Sequence, residues 1–160
     1  MKKILFITLF SFVLLTGCGK GTTQELTGNQ PPKAEIQIGD KVYETKLGTY
    51  CWSSKNQSTC ADSIGPVELL KNEKPIIVPP GAVIKFVMNY KPLPNKSFVE
   101  QMTEDQKTTE VAVNDDTFQV PIQKGIYYYS YGVWWMDEIK PNVSHGDAFY
   151  NFVLEVAEKD

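Results

Sequence analysis

The chain contains no arginine; all sixteen basic residues are lysine. Without a guanidinium fork there is no bidentate clamp for phosphate or carboxylate. A formal net charge of −3 leaves no basic footprint for nucleic acid. Histidine is nearly as scarce, and His145 stands alone. There is no Gly-x-Ser-x-Gly, no Cys-x-x-Cys and no glycine-rich phosphate loop. The signatures of a nucleophile elbow, a thioredoxin-type redox pair and a P-loop are thus missing. Nor does any apolar run reach the roughly 20 residues that cross a bilayer. The longest, from Ile4 to Leu15, is broken by Thr8 and Ser11.

That short run has an N-terminal context. Lys2 and Lys3 precede it, and Gly17 then Cys18 follow. A charged start, an apolar core and a small-residue cleavage point make an export signal. Leu15-Thr16-Gly17-Cys18 resembles the lipobox of bacterial lipoproteins. The resemblance implies cleavage after Gly17 and a diacylglyceryl (palmitate-bearing) anchor on Cys18. It also implies residence on the outer face of the cell membrane. Loss of Lys2 and Lys3 takes the net charge to −5.

Residues 18–33 are polar, rich in Gly and Thr, and end in Pro31-Pro32. They lack apolar periodicity and read as a flexible tether. The expected organisation is therefore a signal over 1–17, a tether over 18–33 and one domain over 34–160. Export to an oxidising compartment leaves Cys51 and Cys60 as an even pair, expected to form a disulfide. Gly48-Thr49-Tyr50-Cys51-Trp52, followed by Cys60-Ala61-Asp62, resembles a signature of uncharacterised lipoproteins of Gram-positive bacteria. That resemblance carries no activity.

Period-two alternation dominates the rest. Ile36 and Ile38 lead into Gly39-Asp40, a type II′ hairpin signal. Ile84, Phe86, Met88 and Tyr90 share a face, as do Ala148, Tyr150, Phe152, Leu154 and Val156. The polar residues between Cys51 and Cys60 read as a loop. Thr103 to Thr109 and Asp137 to Asp147 read as connections, and Pro121 marks an edge strand or a bulge. Asp62 or Ser63 could cap a short helix near 66–71, with Pro66 in its first turn. The fold expected is all-β: an antiparallel immunoglobulin-like sandwich of about eight or nine strands. Gly125-Ile126-Tyr127 and Ala148 to Phe152 resemble the last two strands of immunoglobulin-like domains, where a tyrosine corner often forms. That likeness implies fold alone.

Ser144-His145-Gly146-Asp147 holds triad residue types, but triads are assembled across a fold, so turn chemistry is the simpler reading. His145 and Asp147 with Asp137 or Glu138 match no recognised metal spacing, and no cofactor is implied. Asp115-Asp116 reads as a turn. The strongest lead is the aromatic run Tyr127 to Trp135. A strand alternates, so if Tyr127, Tyr129 and Tyr131 face inward, Tyr128 faces outward, with one of Trp134 and Trp135. Tyr128, Trp134 and Trp135 are thus candidates for a surface binding cell-wall polymer or an envelope protein. The function expected is a non-enzymatic binding or interaction module. Alternatives are an envelope hydrolase with unrecognised carboxylates, or an inhibitor or regulator of a membrane partner.

Overall fold

Glu35–Ile38 (β1) and Lys41–Glu44 (β2) pair in register across Gly39, whose φ of 58° is the left-handed value the tight turn requires. The computed structural model describes residues 25–158. The signal segment, the lipobox and Cys18 lie outside the described residues. After β2 come Lys46–Ser54 (β3), Gln57–Ala61 (β4), Pro66–Leu70 (α1), Ile76–Val78 (β5) and Val83–Val87 (β6). Then follow Lys96–Met102 (β7), Thr108–Val111 (β8), Thr117–Gln119 (β9), Gly125–Met136 (β10) and Ser144–Val156 (β11).

Two sheets form an all-β sandwich. The smaller runs β2-β1-β6-β9 and the larger β4-β3-β11-β10-β7-β8. Pairing is antiparallel except where β5 lies parallel to the last turns of β11. β10 and β11 are the longest strands, and alternation sorts their side chains. Tyr127, Tyr129, Tyr131, Val133 and Trp135 point to the core, with Ala148, Tyr150, Phe152, Leu154 and Val156. Across the sandwich, Phe86 of β6 stacks on Tyr131 at 3.7 Å between ring centroids. Burial raises the Tyr131 hydroxyl to about 12, and raises Tyr129 and Tyr150 further still. Tyr127 Oη donates to the Gln123 carbonyl at 3.1 Å, closing a tyrosine corner at the start of β10.

The structure departs from the sequence reading in several places. The stretch between Cys51 and Cys60 is a β-hairpin, not a loop. Its turn residues Lys55 and Asn56 have φ of 49° and 62°, the left-handed pair of a type I′ turn. Part of the connection after Met102 is β8, and β11 begins at Ser144, so His145 and Asp147 sit on a strand. The helix is capped at Gly65 with no side-chain hydrogen bond, so neither Asp62 nor Ser63 caps it. Finally, residues 25–33 pack on the domain. Leu26 is 2% exposed within the main core, and Tyr150 Oη donates to the Pro32 carbonyl.

That strap closes one end of the sandwich. Thr27 N–H donates to Tyr90 Oη at 2.8 Å. Trp52, Trp135 and Tyr90 meet edge to face at the same end, with Trp52 and Trp135 centroids 4.9 Å apart. Gly146 has no side chain because there is no room for one. A Cβ there would lie 2.6 Å from the Trp52 ring and 2.9 Å from Leu26. The opposite end carries α1, whose Leu70 forms a second small core with Met102, Tyr128 and Val153.

Candidate binding site

The outward positions of the large sheet decide what the protein can touch. The two long strands place Tyr128, Ser130, Gly132 and Trp134 on this face, beside Asp147, Phe149, Asn151 and Val153. Toward the α1 end, the helix covers the sheet. Tyr128 is 8% exposed beneath it, so the expectation that Tyr128 offers a free surface is corrected. A strand side chain facing away from one core can still be buried by a second layer.

Trp135 is likewise corrected: it is 3% exposed, and its Nε1–H donates to the Pro92 carbonyl at 2.8 Å. It belongs to the core by the same alternation that turns Trp134 outward. Trp134 remains partly exposed, as the sequence allows for one of the two.

Trp134 does not stand alone. The Phe98 ring of β7 stacks against it, centroids 5.3 Å apart and planes at 23°. Phe149 of β11 meets Trp134 edge-on at 5.7 Å and Phe98 at 6.1 Å. Register explains the gathering: Gly132 pairs with Phe98 on one side and Phe149 on the other. A Cβ on Gly132 would lie 2.6 Å from Phe98 and 3.1 Å from Phe149. The glycine leaves room for two neighbouring rings to lie over the sheet backbone. The result is an aromatic platform on the sheet face, and among the described residues no helix lies over this end.

Two charged groups flank the platform. Lys96 Nζ sits 5.7 Å from the Trp134 ring centroid, a cation–π arrangement. Asp147 pairs across the strands with Trp134. Partial burial raises its carboxyl above the ordinary value, opposed by the Cys51 N–H donating to it at 3.2 Å. Next to Asp147 on β3, Cys51 and Cys60 form the expected disulfide, directly opposite one another in the hairpin.

The polar clusters around His145 and Asp115 are held by local structure. His145 Nε2 and Asp137 Oδ2 lie 3.0 Å apart, while Asp137 Oδ1 accepts from the N–H groups of Ile139 and Lys140. These backbone bonds, ahead of His145, hold the Asp137 carboxyl below its usual range. Ser144 Oγ donates to the Gly146 carbonyl at 2.7 Å and not to His145. The Ser-His-Asp residue types therefore do not assemble as a triad. Asp115 and Asp116, with φ of 49° and 58°, form a turn bridged by Asn114 and Thr117.

The surface recesses mix polar and apolar lining. One of about 380 Å³ lies between α1 and the start of β3. Its two carboxylates are taken: Glu44 by Lys33 and Glu73 by Lys46. Asn151, buried at its edge, donates to the Lys46 and Phe149 carbonyls, while its Oδ1 has no partner among the described residues. Another of about 590 Å³ is lined by the β3–β4 hairpin, Glu25, Leu26 and His145, with Glu25 its one carboxylate.

Sequence reasoning missed Phe98, Phe149, Gly132 and Lys96. Gly132 was the available signal: an isolated glycine inside an aromatic strand marks a close approach. Identifying what approaches it needs the register of three strands. No family model matches the chain, and no curated protein matches it by sequence.

Proposed function

We propose that the protein is a non-enzymatic binding module, held on the outer face of the cell membrane by lipid on Cys18. Its binding surface is the platform of Phe98, Trp134 and Phe149, and its ligand is cell-wall polymer. One observation carries this reading: three rings are held together on the sheet face over a glycine, outside both cores. Clustered aromatics left partly exposed in this way mark interaction sites. A flat ring face suits the apolar face of a sugar ring, and Lys96 beside it suits anionic substituents on such a polymer. The hydrolase alternative would rest on Glu110, Asp115 and Asp116 in the recess beside Phe98, since the carboxylates lining the recess by α1 are paired with lysines.

Trp134→Ala tests this directly. Trp134 lies outside both cores, so the variant should keep its circular dichroism spectrum and most of its stability. Its sedimentation with purified cell-wall polymer should fall about tenfold, as for loss of a central aromatic anchor. Unchanged sedimentation would remove the platform from the function. Release of sugar from the polymer by the wild type would establish a hydrolase instead.

A further inference from the structure

We propose that the end of the sandwich closed by Leu26 rests on the lipid bilayer, with loops 88–95 and 137–143 touching anionic headgroups. The inference rests on the lipid anchor at Cys18 and goes beyond the binding platform. Eight residue steps separate Cys18 from Leu26. However those residues are arranged, they span at most about 28 Å. Leu26 is fixed at one end of the molecule, against Trp52 and Gly146. From Gly146, against which Leu26 packs, β11 runs ten residue steps to Val156 at the other end, about 33 Å at strand rise. The tether is shorter than the body, so the α1 end cannot be turned onto the membrane while the Leu26 end stands away from it.

The end that must stay close is built for contact. Loop 88–95 is pinned there by the Asn95 side chain, which bonds Met136 N–H and carbonyl, and by the Trp135–Pro92 bond. Loop 137–143 leaves the same end of β10 and is closed by Asp137 N–H donating to the Val143 carbonyl. These loops hold out apolar side chains: Leu93 is 45% exposed, Val143 40% and Ile139 67%. Lys91 and Lys140 are exposed beside them, against exposed Glu138, while the Asp137 carboxylate is turned in to His145 and Glu25 is exposed next to Leu26. Apolar tips with flanking lysines fit an anionic interface, where the chains enter the headgroup layer and the ammonium groups meet phosphate.

The test uses the full lipidated protein in vesicles of phosphatidylglycerol and phosphatidylcholine. Ile139→Cys and, at the far end, Ile122→Cys are each labelled with a polarity-sensitive fluorophore, and the vesicles include nitroxide-labelled lipid. The label at 139 should shift to the blue and be quenched several times more strongly than the label at 122. Adding Lys91→Glu and Lys140→Glu should reduce that difference while leaving the protein on the vesicles. Protein that sediments with vesicles yet shows equal quenching at both positions overturns the orientation and leaves the anchor standing. Protein that fails to sediment, with an unmodified Cys18 by mass spectrometry, overturns the anchor and this inference with it.

Discussion

Gly132 is the residue on which the platform depends. Its neighbours Phe98 and Phe149 occupy the volume a β-carbon would need. Gly132→Val should therefore cost about 1–3 kcal/mol by overpacking, with Phe98 lifted off the sheet. Polymer binding should fall with it although Trp134 is untouched, which sedimentation alongside urea unfolding would show. Trp135→Ala should behave in the opposite way. It removes a ring packed on Trp52 and leaves the Pro92 carbonyl without its donor, so a loss of about 3–5 kcal/mol is expected. Asp137 has a pH signature. Its carboxyl titrates below the unfolded value of 3.8, so its stabilisation is full above that value and is lost as pH falls through the folded value. Asp137→Ala should melt at a lower temperature than the wild type at neutral pH. The gap should narrow below pH 3.8, a comparison that thermal unfolding across pH provides.

At the scale of elements, the β3–β4 hairpin is held by three devices: its ladder, its type I′ turn and the Cys51–Cys60 bridge. β4 has β3 as its one neighbour in the sheet and is exposed nearly throughout. Removing the bridge with Cys51→Ala and Cys60→Ala should cost at most about 2–3 kcal/mol. Hydrogen exchange should place the lost protection in 57–61 and spare β10 and β11. The same hairpin explains what could be read from the sequence. β6, β10 and β11 were legible because one or both faces are buried, which writes period two into the side chains. β4 was not, because Gln57-Ser58-Thr59 has no apolar face; its strand is imposed by β3 and the bridge. Tyr128 was placed on the correct side of its strand, but nothing local to it reveals that α1 folds over it. Trp134 was legible as one of two alternatives. Its partners were not, since Phe98 and Phe149 come from strands 36 and 15 positions away in sequence. Only pairing through Gly132 brings them together.

At the scale of the molecule, where the folded body begins sets how far it could stand from the proposed lipid anchor at Cys18. Composition places the boundary at residue 33, because a lone Leu26 among polar residues carries no periodic signal. Packing places the first core contact at Leu26, with Pro31 also buried and the Pro32 carbonyl bonded to Tyr150. A chain beginning at Glu25 should thus unfold at the same urea concentration as the chain beginning at Cys18. One beginning at Ala34 exposes Trp52 and Gly146 at the open end and leaves the Tyr150 hydroxyl unpaired. Leu26→Ala alone should cost about 2–4 kcal/mol, the usual range for emptying a buried leucine site. The Ala34 chain should lose more, because the Tyr150 and Tyr90 bonds go as well. Equal midpoints for all three chains would mean that the strap is not part of the folded body. The proposed tether would then be the longer one, and the reach from Cys18 would no longer support the proposed orientation on the membrane.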